Sequence, residues 1–485
     1  MPMPTCTRRE VLASSPLAFG LIALSDLLRQ DRLIADETDR GVVPVVHHRA
    51  TAKRVIFLFM GGGPSQVDTF DPKPELTRLD GKSVPDSIAK DVPKIARSPL
   101  VGLMGSPFRF ARRGDSGIEV SEMYPEVGGC VDDLCVIRSC KHDSPIHAPA
   151  EFIATTGTGI GDRPSLGAWL SYGLGSENSN LPAFIVMKSG ETIRPPTIGA
   201  GFLPATFQGT MVDGDKGIPN LKLPDGVTVD ERREQLDLLQ RLNRRHADRL
   251  GGHVHLPVGG TAGRGVHPTG GSSDLDARIK AYELSFRMQM HAPEAFDLAT
   301  ETQETQQLYG LDQKETAEFG KYCLWARRLV ERGVRFIQLR SGGWDAHSKL
   351  RDEHSAKARA TDRPIAALLR DLKRRGMLDE TLVIWGGEFG RTPTVQNPGK
   401  DAGRDHSPSG YTMWLAGGGV RGGHVIGATD PVGYAAIERP VHPNDLHATI
   451  LHALGLDQRG LFYQHRNRRE IVTVNGGSVV HEVFA

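Results

Sequence analysis

The chain has 485 residues, of which 39% are hydrophobic and 24% charged, so it can form an apolar core and is not expected to be globally disordered. Its formal net charge is +1 and it has no basic stripe with interleaved aromatic residues, which argues against a nucleic-acid-binding protein. This length accommodates two ordinary domains or one large α/β domain with insertions.

The first residues have the layout of a secretory signal. Arg8 and Arg9 precede a largely apolar stretch, residues 11–28, and no acidic residue comes before them. The arginine pair resembles a twin-arginine signal, which exports folded proteins. An amphipathic N-terminal helix is the alternative, since a proline and an aspartate interrupt the apolar stretch. We predict that residues 1–35 are a signal segment, that the protein acts in the periplasm or outside the cell, and that no later stretch inserts stably in a membrane.

Six short apolar runs predict the strands of a buried sheet. The first is Arg54–Met60, which is continuous and ends at three glycines. Runs of this kind are buried on both faces and are typical of central parallel strands. The other five cover residues 134–138, 183–187, 334–339, 381–385 and 411–416.

Helical patterns alternate with these runs. Apolar residues at i, i+3, i+4 and i+7 from Ile365 predict a helix that stops at Gly376, and two further helices are predicted over 319–331 and from Pro443 onward. Strands that alternate with helices predict an α/β fold, with a mainly parallel central sheet and helices on both faces.

We assign residues 50–475 to this single domain. A charged helix is predicted over 230–250, and the stretch that follows it is rich in glycine, histidine and threonine. This composition is typical of a flexible loop, so we predict an insertion around residues 226–275.

Potential metal ligands lie next to several predicted strands. In an open α/β sheet, ligands bind outside the carboxyl ends of the strands. Carboxylates and imidazoles that converge on one edge of the sheet indicate a divalent-metal site. The candidates after or before a strand are His147, Asp345, His347, Glu388, Arg391, Arg404, Asp405 and His406.

Each cluster also has a structural interpretation. Asp345 would be an acceptable helix cap, and Glu388 would be an acceptable ion-pair partner for Arg391. No single cluster is specific for a site. Their repetition along one predicted edge favours the functional interpretation.

Six segments of the sequence resemble one protein family. The chain is similar to the domain-of-unknown-function 1501 family, whose exported proteins often carry twin-arginine signals and are sometimes labelled sulfatase. The resemblance covers roughly residues 50–475 and implies membership of the alkaline phosphatase superfamily, whose members bind one or two divalent metals and hydrolyse phosphate or sulfate esters. The segments are LFMGGGPSQVDTFDPKP, RPSLGAWLSYGLGSENSNLPAF, GGWDAH, GEFGRTP, GRDH and LAGGGVRGG.

The resemblance implies roles for individual residues. Glu388 lies where sulfatases carry a metal-binding aspartate, although Phe389 stands where the next ligand is expected. Asp345 and His347 are similar to the Asp-and-His ligand pair of phosphatases, and His406 is similar to their late histidine ligand.

The sequence departs from the sulfatase pattern at the nucleophile. Counting back from Gly157, the position of the sulfatase cysteine is occupied by His147, with no arginine after it. Gly61 and Gly62 replace the paired aspartates that usually end the first strand. A formylglycine sulfatase is therefore not expected.

Together, these features predict an exported, metal-dependent hydrolase of sulfate or phosphate esters. The substrate would be an anionic ester, with a sulfated polysaccharide as one candidate, and Arg391 and Arg404 would neutralise its charge. We expect His147 to face the open coordination position from across the pocket, as nucleophile, general base or further ligand. The alternative is a non-catalytic exported binding or scaffold protein that kept the fold. The metal, zinc or calcium, would be held by members of a set comprising Asp345, His347, Glu388, Asp405 and His406.

Overall fold

The computed structural model describes residues 46–89, 102–190, 192–212, 214, 226–249 and 272–485. The predicted signal segment, residues 1–35, lies outside these ranges. None of the described helices is both long and apolar enough to cross a membrane.

An eight-stranded mixed sheet forms the centre of the molecule. The order of its strands across the sheet is β8-β2-β7-β6-β1-β5-β3-β4, and every pairing is parallel except the two made by β7. In chain order the strands are β1 (Arg54–Met60), β2 (Leu134–Cys140), β3 (Phe184–Ser189), β4 (Thr210–Val212), β5 (Phe336–Ser341), β6 (Thr381–Gly386), β7 (Tyr411–Ala416) and β8 (His424–Ile426).

The predicted parallel strands are confirmed, with one correction. Five of the six apolar runs form parallel strands whose ends agree with the prediction to within two residues. The sixth, β7, is antiparallel to both of its neighbours, β2 and β6, so its prediction as a parallel strand is wrong. An apolar run reports burial on both faces but not direction. As a consequence, the start of β7 lies at the edge of the sheet where the parallel strands end.

Helices cover both faces of the sheet. Side chains of β1 alternate between two core clusters: Ile56 and Leu58 belong to one, Val55 and Phe57 to the other. The helices are α1 (Gln66–Thr69), α2 (Pro74–Arg78), α3 (Asp86–Ala89), α4 (Pro125–Gly128), α5 (His147–Thr156), α6 (Leu166–Leu174), α7 (Val229–Arg249), α8 (Ser272–Phe296), α9 (Gln303–Leu308), α10 (Ala317–Glu331), α11 (Leu350–Arg374) and α12 (Pro443–Ala453).

The two faces are packed by different helices. Residues of α10 and α11 contribute to the first cluster, and residues of α6 and α12 to the second. The apolar stripe from Ile365 to Leu372 on α11 is buried as predicted, and Gly376 follows the helix with φ +67°. This arrangement confirms the α/β fold with a mainly parallel sheet and helices on both faces.

Smaller elements lie outside the main sheet. The charged helix predicted over 230–250 is α7, and the loop predicted after it falls largely on residues 250–271, outside the described ranges. The insertion around 226–275 therefore stays a prediction. Within the described ranges, four two-stranded sheets lie beside the main sheet: Phe110–Arg113 with Ile118–Ser121, Gly390–Arg391 with His406–Ser407, Ala428–Thr429 with Ala436–Glu438, and Phe462–His465 with Arg468–Ile471.

Candidate metal centre

Three histidines and one aspartate meet at the carboxyl edge of the sheet. Asp345 and His347 lie in the loop after β5, and His147 is the first residue of α5, which follows β2. His406 precedes β7 and reaches the same edge because β7 runs antiparallel. Segments distant in sequence thus meet at the carboxyl edge of the sheet, where ligands of open α/β sheets bind.

The Asp345 carboxylate contacts all three imidazoles. Its Oδ1 is 3.0 Å from Nε2 of His347 and 3.1 Å from Nε2 of His406, and its Oδ2 is 3.1 Å from Nε2 of His147. The Nε2 atoms of His347 and His406 are also 3.0 Å apart. The same nitrogen of each ring therefore points to the centre of the cluster.

The other ring nitrogen, Nδ1, has a hydrogen-bond acceptor in every case. An acceptor at Nδ1 fixes the proton there and leaves the Nε2 lone pair of the neutral ring free to bind a metal. The acceptors are Glu388 Oε1 at 2.7 Å from His147, Gln396 Oε1 at 2.6 Å from His347, and the Pro145 carbonyl at 2.7 Å from His406.

This arrangement fits a divalent cation. With their protons on Nδ1, His347 and His406 direct two lone pairs at one another and at a carboxylate, which is repulsive unless a positive charge lies between them. The Nε2 of His147 is buried, and its contact with Asp345 does not have the geometry of a hydrogen bond. Ligand atoms of His147, Asp345 and His406 lie within 4.8 Å of one another, as do those of His347, Asp405 and His406.

The electrostatics of the cluster also favour positive charge. Burial lowers the pKa of His147, but the carboxylates of Asp345 and Glu388 outweigh burial and raise it to about 9. Burial would raise the pKa of Asp345, yet His147, His406 and Arg391 hold it well below its usual range. Burial also lowers the pKa of His406, against the opposing effect of Asp345. Without a metal, a proton on His147 would supply the missing charge.

Among the described residues, Glu388 belongs to neither group of ligand atoms and lies behind His147, whereas Asp405 belongs to the second group. Glu388 is fully buried and accepts hydrogen bonds from His147 Nδ1 and from the backbone of Gly62. Asp405 Oδ1 accepts from the backbone N–H of His406 and lies 3.8 Å from Nδ1 of His347. His147, expected across the pocket, instead lies in the cluster, in contact with both Asp345 and Glu388.

Arg391 holds the cluster in place from inside the protein. It is fully buried, and its Nη2 donates to Asp345 Oδ1 at 2.6 Å. Its other donors reach backbone carbonyls, among them those of Gly63 and Arg404. The expectation that Arg391 binds substrate oxygens is therefore corrected, because its guanidinium is already engaged by the protein.

Arg404 has a comparable structural position away from the cluster. Its Nε donates to Asp68 Oδ2 at 2.7 Å, and its Nη2 donates to Asp68 Oδ1 at 3.2 Å. Both side chains are fully buried, and further donors of Arg404 reach the carbonyls of Met104 and Thr392. The expected role of Arg404 in substrate binding is corrected for the same reason.

Two residues noted in the sequence support the cluster in ways that the sequence did not predict. Phe389, which departs from the family pattern, packs its ring 4.5 Å from that of His406 and 4.9 Å from that of His147. Gly62 has φ +111°, and a Cβ there would lie 2.6 Å from the backbone nitrogen of Asp345. The absence of a side chain at Gly62 thus allows the Asp345 loop to approach. Gln396 and the Pro145 carbonyl carried no signal in the sequence.

Comparisons with known proteins agree with the residue patterns. A family model described as "Protein of unknown function (DUF1501)" matches residues 52–254 and 262–484. No curated protein sequence matches the chain.

Similar solved structures include hydrolases of sulfate and phosphorus esters. A phosphonate monoester hydrolase from Silicibacter pomeroyi is 11% identical, with a TM-score of 0.32 over 88% of this chain and 76% of that chain. The PsFucS1 sulfatase from Pseudoalteromonas sp. is 13% identical, with a TM-score of 0.32 over 87% and 69%. A mutant of TAB5 alkaline phosphatase is 11% identical, with a TM-score of 0.31 over 84% and 99%.

Proposed function

The chain belongs to the DUF1501 family, and we propose that it is an exported, metal-dependent hydrolase of sulfate or phosphate esters. The observation that carries the proposal is the cluster itself: three Nε2 atoms directed at the Asp345 carboxylate, each ring fixed by an acceptor at Nδ1. Protein metal sites use the same combination, because a second acceptor both orients the ring and raises its basicity.

The ligand set favours zinc or another transition metal over calcium. Calcium binds six to eight oxygen ligands, whereas imidazole nitrogens suit zinc, iron, copper and nickel. Three histidines and one carboxylate provide three nitrogens and one or two oxygens. Of the two metals expected from the sequence, we therefore propose zinc, held by His147, Asp345, His347 and His406.

Each residue of the site has a distinct task in this proposal. A divalent ion bound here would polarise an ester oxygen and lower the pKa of a bound water. Glu388 orients His147, Arg391 fixes Asp345, and Phe389 packs against two of the rings. The Asp345 side chain is 42% exposed, so a substrate can reach the cluster from solvent. Since His147 would bind the metal in this proposal, we assign the role of nucleophile towards the ester to water.

Export and an anionic substrate are further parts of the proposal. Export is supported by Arg8 and Arg9 ahead of the apolar stretch, which lies outside the described residues. Cell fractionation of the full-length protein, with an Arg8→Lys, Arg9→Lys variant as control, tests it. Retention of the wild type in the cytoplasm would contradict export.

A metal and activity measurement tests the hydrolase. Protein purified from its native host is expected to contain a stoichiometric metal and to hydrolyse members of a panel of sulfate and phosphate monoesters until a chelator is added. His347→Ala should lower metal content and activity together, by at least about 100-fold in activity, without loss of fold. His291→Ala, at an exposed position on α8, should change neither.

A folded protein with neither bound metal nor esterase activity would favour the non-catalytic binding alternative.

A further inference from the structure

Two residues of the loop that carries Asp345 are exposed to solvent. Gly343 and Asp345 are exposed, whereas Gly342, Trp344 and Ala346 are buried. The Cα atoms of these two exposed residues are separated by at most about 7 Å, the span of two residues. A side chain packed against Gly343 lies beside the metal cluster.

Lys357 of α11 occupies that position. A Cβ added to Gly343 would come within 2.4 Å of Lys357 Cε and 2.6 Å of its Nζ. The same Nζ is 4.0 Å from a Cβ placed on Gly190, which follows β3. The absence of a side chain at Gly343 thus makes room for the lysine. Its ammonium group lies over the loops that follow two neighbouring parallel strands, β3 and β5.

Two hydrogen-bond donors near this point have no acceptor in the described part of the chain. Lys357 takes part in no ion pair among those residues, and the backbone N–H of Gly343 donates no hydrogen bond there. Covalent geometry places the Gly343 nitrogen within about 5 Å of Lys357 Nζ. Both groups are therefore available to the oxygens of one anion.

A second anionic group of a substrate would need a cation outside the cluster, because the charges within the cluster cancel. Arg391 and Arg404 are engaged by Asp345 and Asp68. With a divalent ion in place, its two positive charges and that of Arg391 balance the carboxylates of Asp345, Glu388 and Asp405. A nearly neutral centre leaves any further anionic group of a substrate without a partner.

We propose that Lys357, together with the N–H of Gly343, forms a subsite for a second anionic group of the substrate. The preferred substrate is then a polyanionic ester, such as a sugar that carries two or more sulfate or phosphate groups. This inference rests on the proposed hydrolase, since the reacting ester group is assigned to the metal cluster.

Calorimetric titration of the metal-loaded full chain tests the subsite. The probes are fructose 6-phosphate and fructose 1,6-bisphosphate, which differ by one phosphate group. The wild type should bind the bisphosphate at least about tenfold more tightly, and Lys357→Met should remove most of this preference without changing metal content. Lys373→Met is the matched control, because Lys373 lies on the same helix but pairs with Asp133 at 2.7 Å. It should keep the preference.

Three results would overturn the subsite: Lys357→Met keeps the preference, it weakens both probes equally, or Lys373→Met loses the preference as well. If Lys357→Met fails to fold, Lys357→Gln replaces it.

The hydrolase proposal and the subsite proposal can be contradicted independently. A chain without metal or esterase activity that still recognises the second phosphate through Lys357 contradicts only the hydrolase. An active metalloenzyme indifferent to Lys357→Met contradicts only the subsite.

Discussion

At the scale of single residues, the carboxylate of Glu388 acts on the cluster through His147. Its Oε1 accepts from Nδ1 of that ring, and the backbone N–H of Gly62 donates to both of its oxygens, at 2.9 and 3.2 Å. A fully buried carboxylate with fixed donors holds the ring in one tautomer and one orientation. We therefore propose that Glu388 positions His147, and its removal should alter metal affinity before it alters the fold.

Glu388→Gln tests this role. The amide oxygen can still accept from His147, but the negative charge is lost, so we expect the affinity for zinc to fall about 10- to 100-fold. Competition titration with a chromophoric chelator measures it. Glu380→Gln removes a carboxylate that is 45% exposed and paired with Lys53, and it should leave the affinity unchanged. Equal affinities for the wild type and Glu388→Gln would show that the carboxylate does not support the site.

At this scale the sequence singled out residues that the structure brings together, but it did not determine their contacts. The structure brings Asp345, His347, His406 and His147 together, and their roles as metal ligands stay predictions. Which acceptor meets which ring nitrogen depends on loop conformations that residue type and spacing do not determine. For the same reason, burial of Arg391 against Asp345 could not be distinguished from exposure to a substrate.

At the scale of elements, the direction of β7 decides the composition of the site. His406 precedes β7, so a parallel β7 would have placed it at the opposite edge, away from Asp345. The extents of the strands could be predicted because a buried strand is a continuous apolar run. The direction of a strand could not, because it depends on where the preceding chain crosses the sheet. The structure brings His406 to Asp345 although the assumed direction of β7 was wrong, and its role as a metal ligand stays a prediction.

Gly62→Ala tests the contact between the loops after β1 and β5. Gly62 has φ +111°, and the added Cβ would lie 2.6 Å from the backbone nitrogen of Asp345. We expect a loss of at least about 2 kcal/mol in unfolding free energy, together with weaker zinc binding as the Asp345 loop is displaced. Gly81→Ala is the matched control. Gly81 has φ +74° but no atom within 4 Å of the added Cβ, so only the backbone cost of about 1 kcal/mol should appear, with normal zinc binding. Equal effects of the two substitutions would contradict the close approach.

At the scale of the whole molecule, the pKa of His147 at the cluster and the pKa values of the interior histidines are shifted in opposite directions. At the cluster, carboxylates raise the pKa of His147 to about 9. In the interior, burial lowers the pKa of His142 to about 4, of His354 to about 3 and of His447 to about 4. His447 of α12 contacts the Ala154 carbonyl of α5 through Nε2, at 2.9 Å, and so joins two helices on one face of the sheet. These interior rings fold as neutral groups, and that makes the stability of the molecule sensitive to acid.

The last prediction concerns this acid sensitivity. A histidine with a folded pKa below its unfolded value of 6.5 contributes stability that is complete above pH 6.5 and is lost as the pH falls towards the folded pKa, because the unfolded chain binds the proton more readily. For His447 the window runs from 6.5 down to about 4, and the loss is at most about 3 kcal/mol, at 1.36 kcal/mol for each pKa unit.

Urea unfolding at pH 7.0 and 4.5 measures this loss, with chelator present at both values so that metal release does not contribute. The unfolding free energy of the wild type should fall strongly between the two values. His447→Gln keeps an N–H donor for the Ala154 carbonyl but does not titrate, so its fall should be smaller by about 1–3 kcal/mol. His291→Gln, at an exposed position, should behave as the wild type. If His447→Gln and the wild type lose equal stability over this range, His447 is not held neutral by burial and the acid sensitivity has another source.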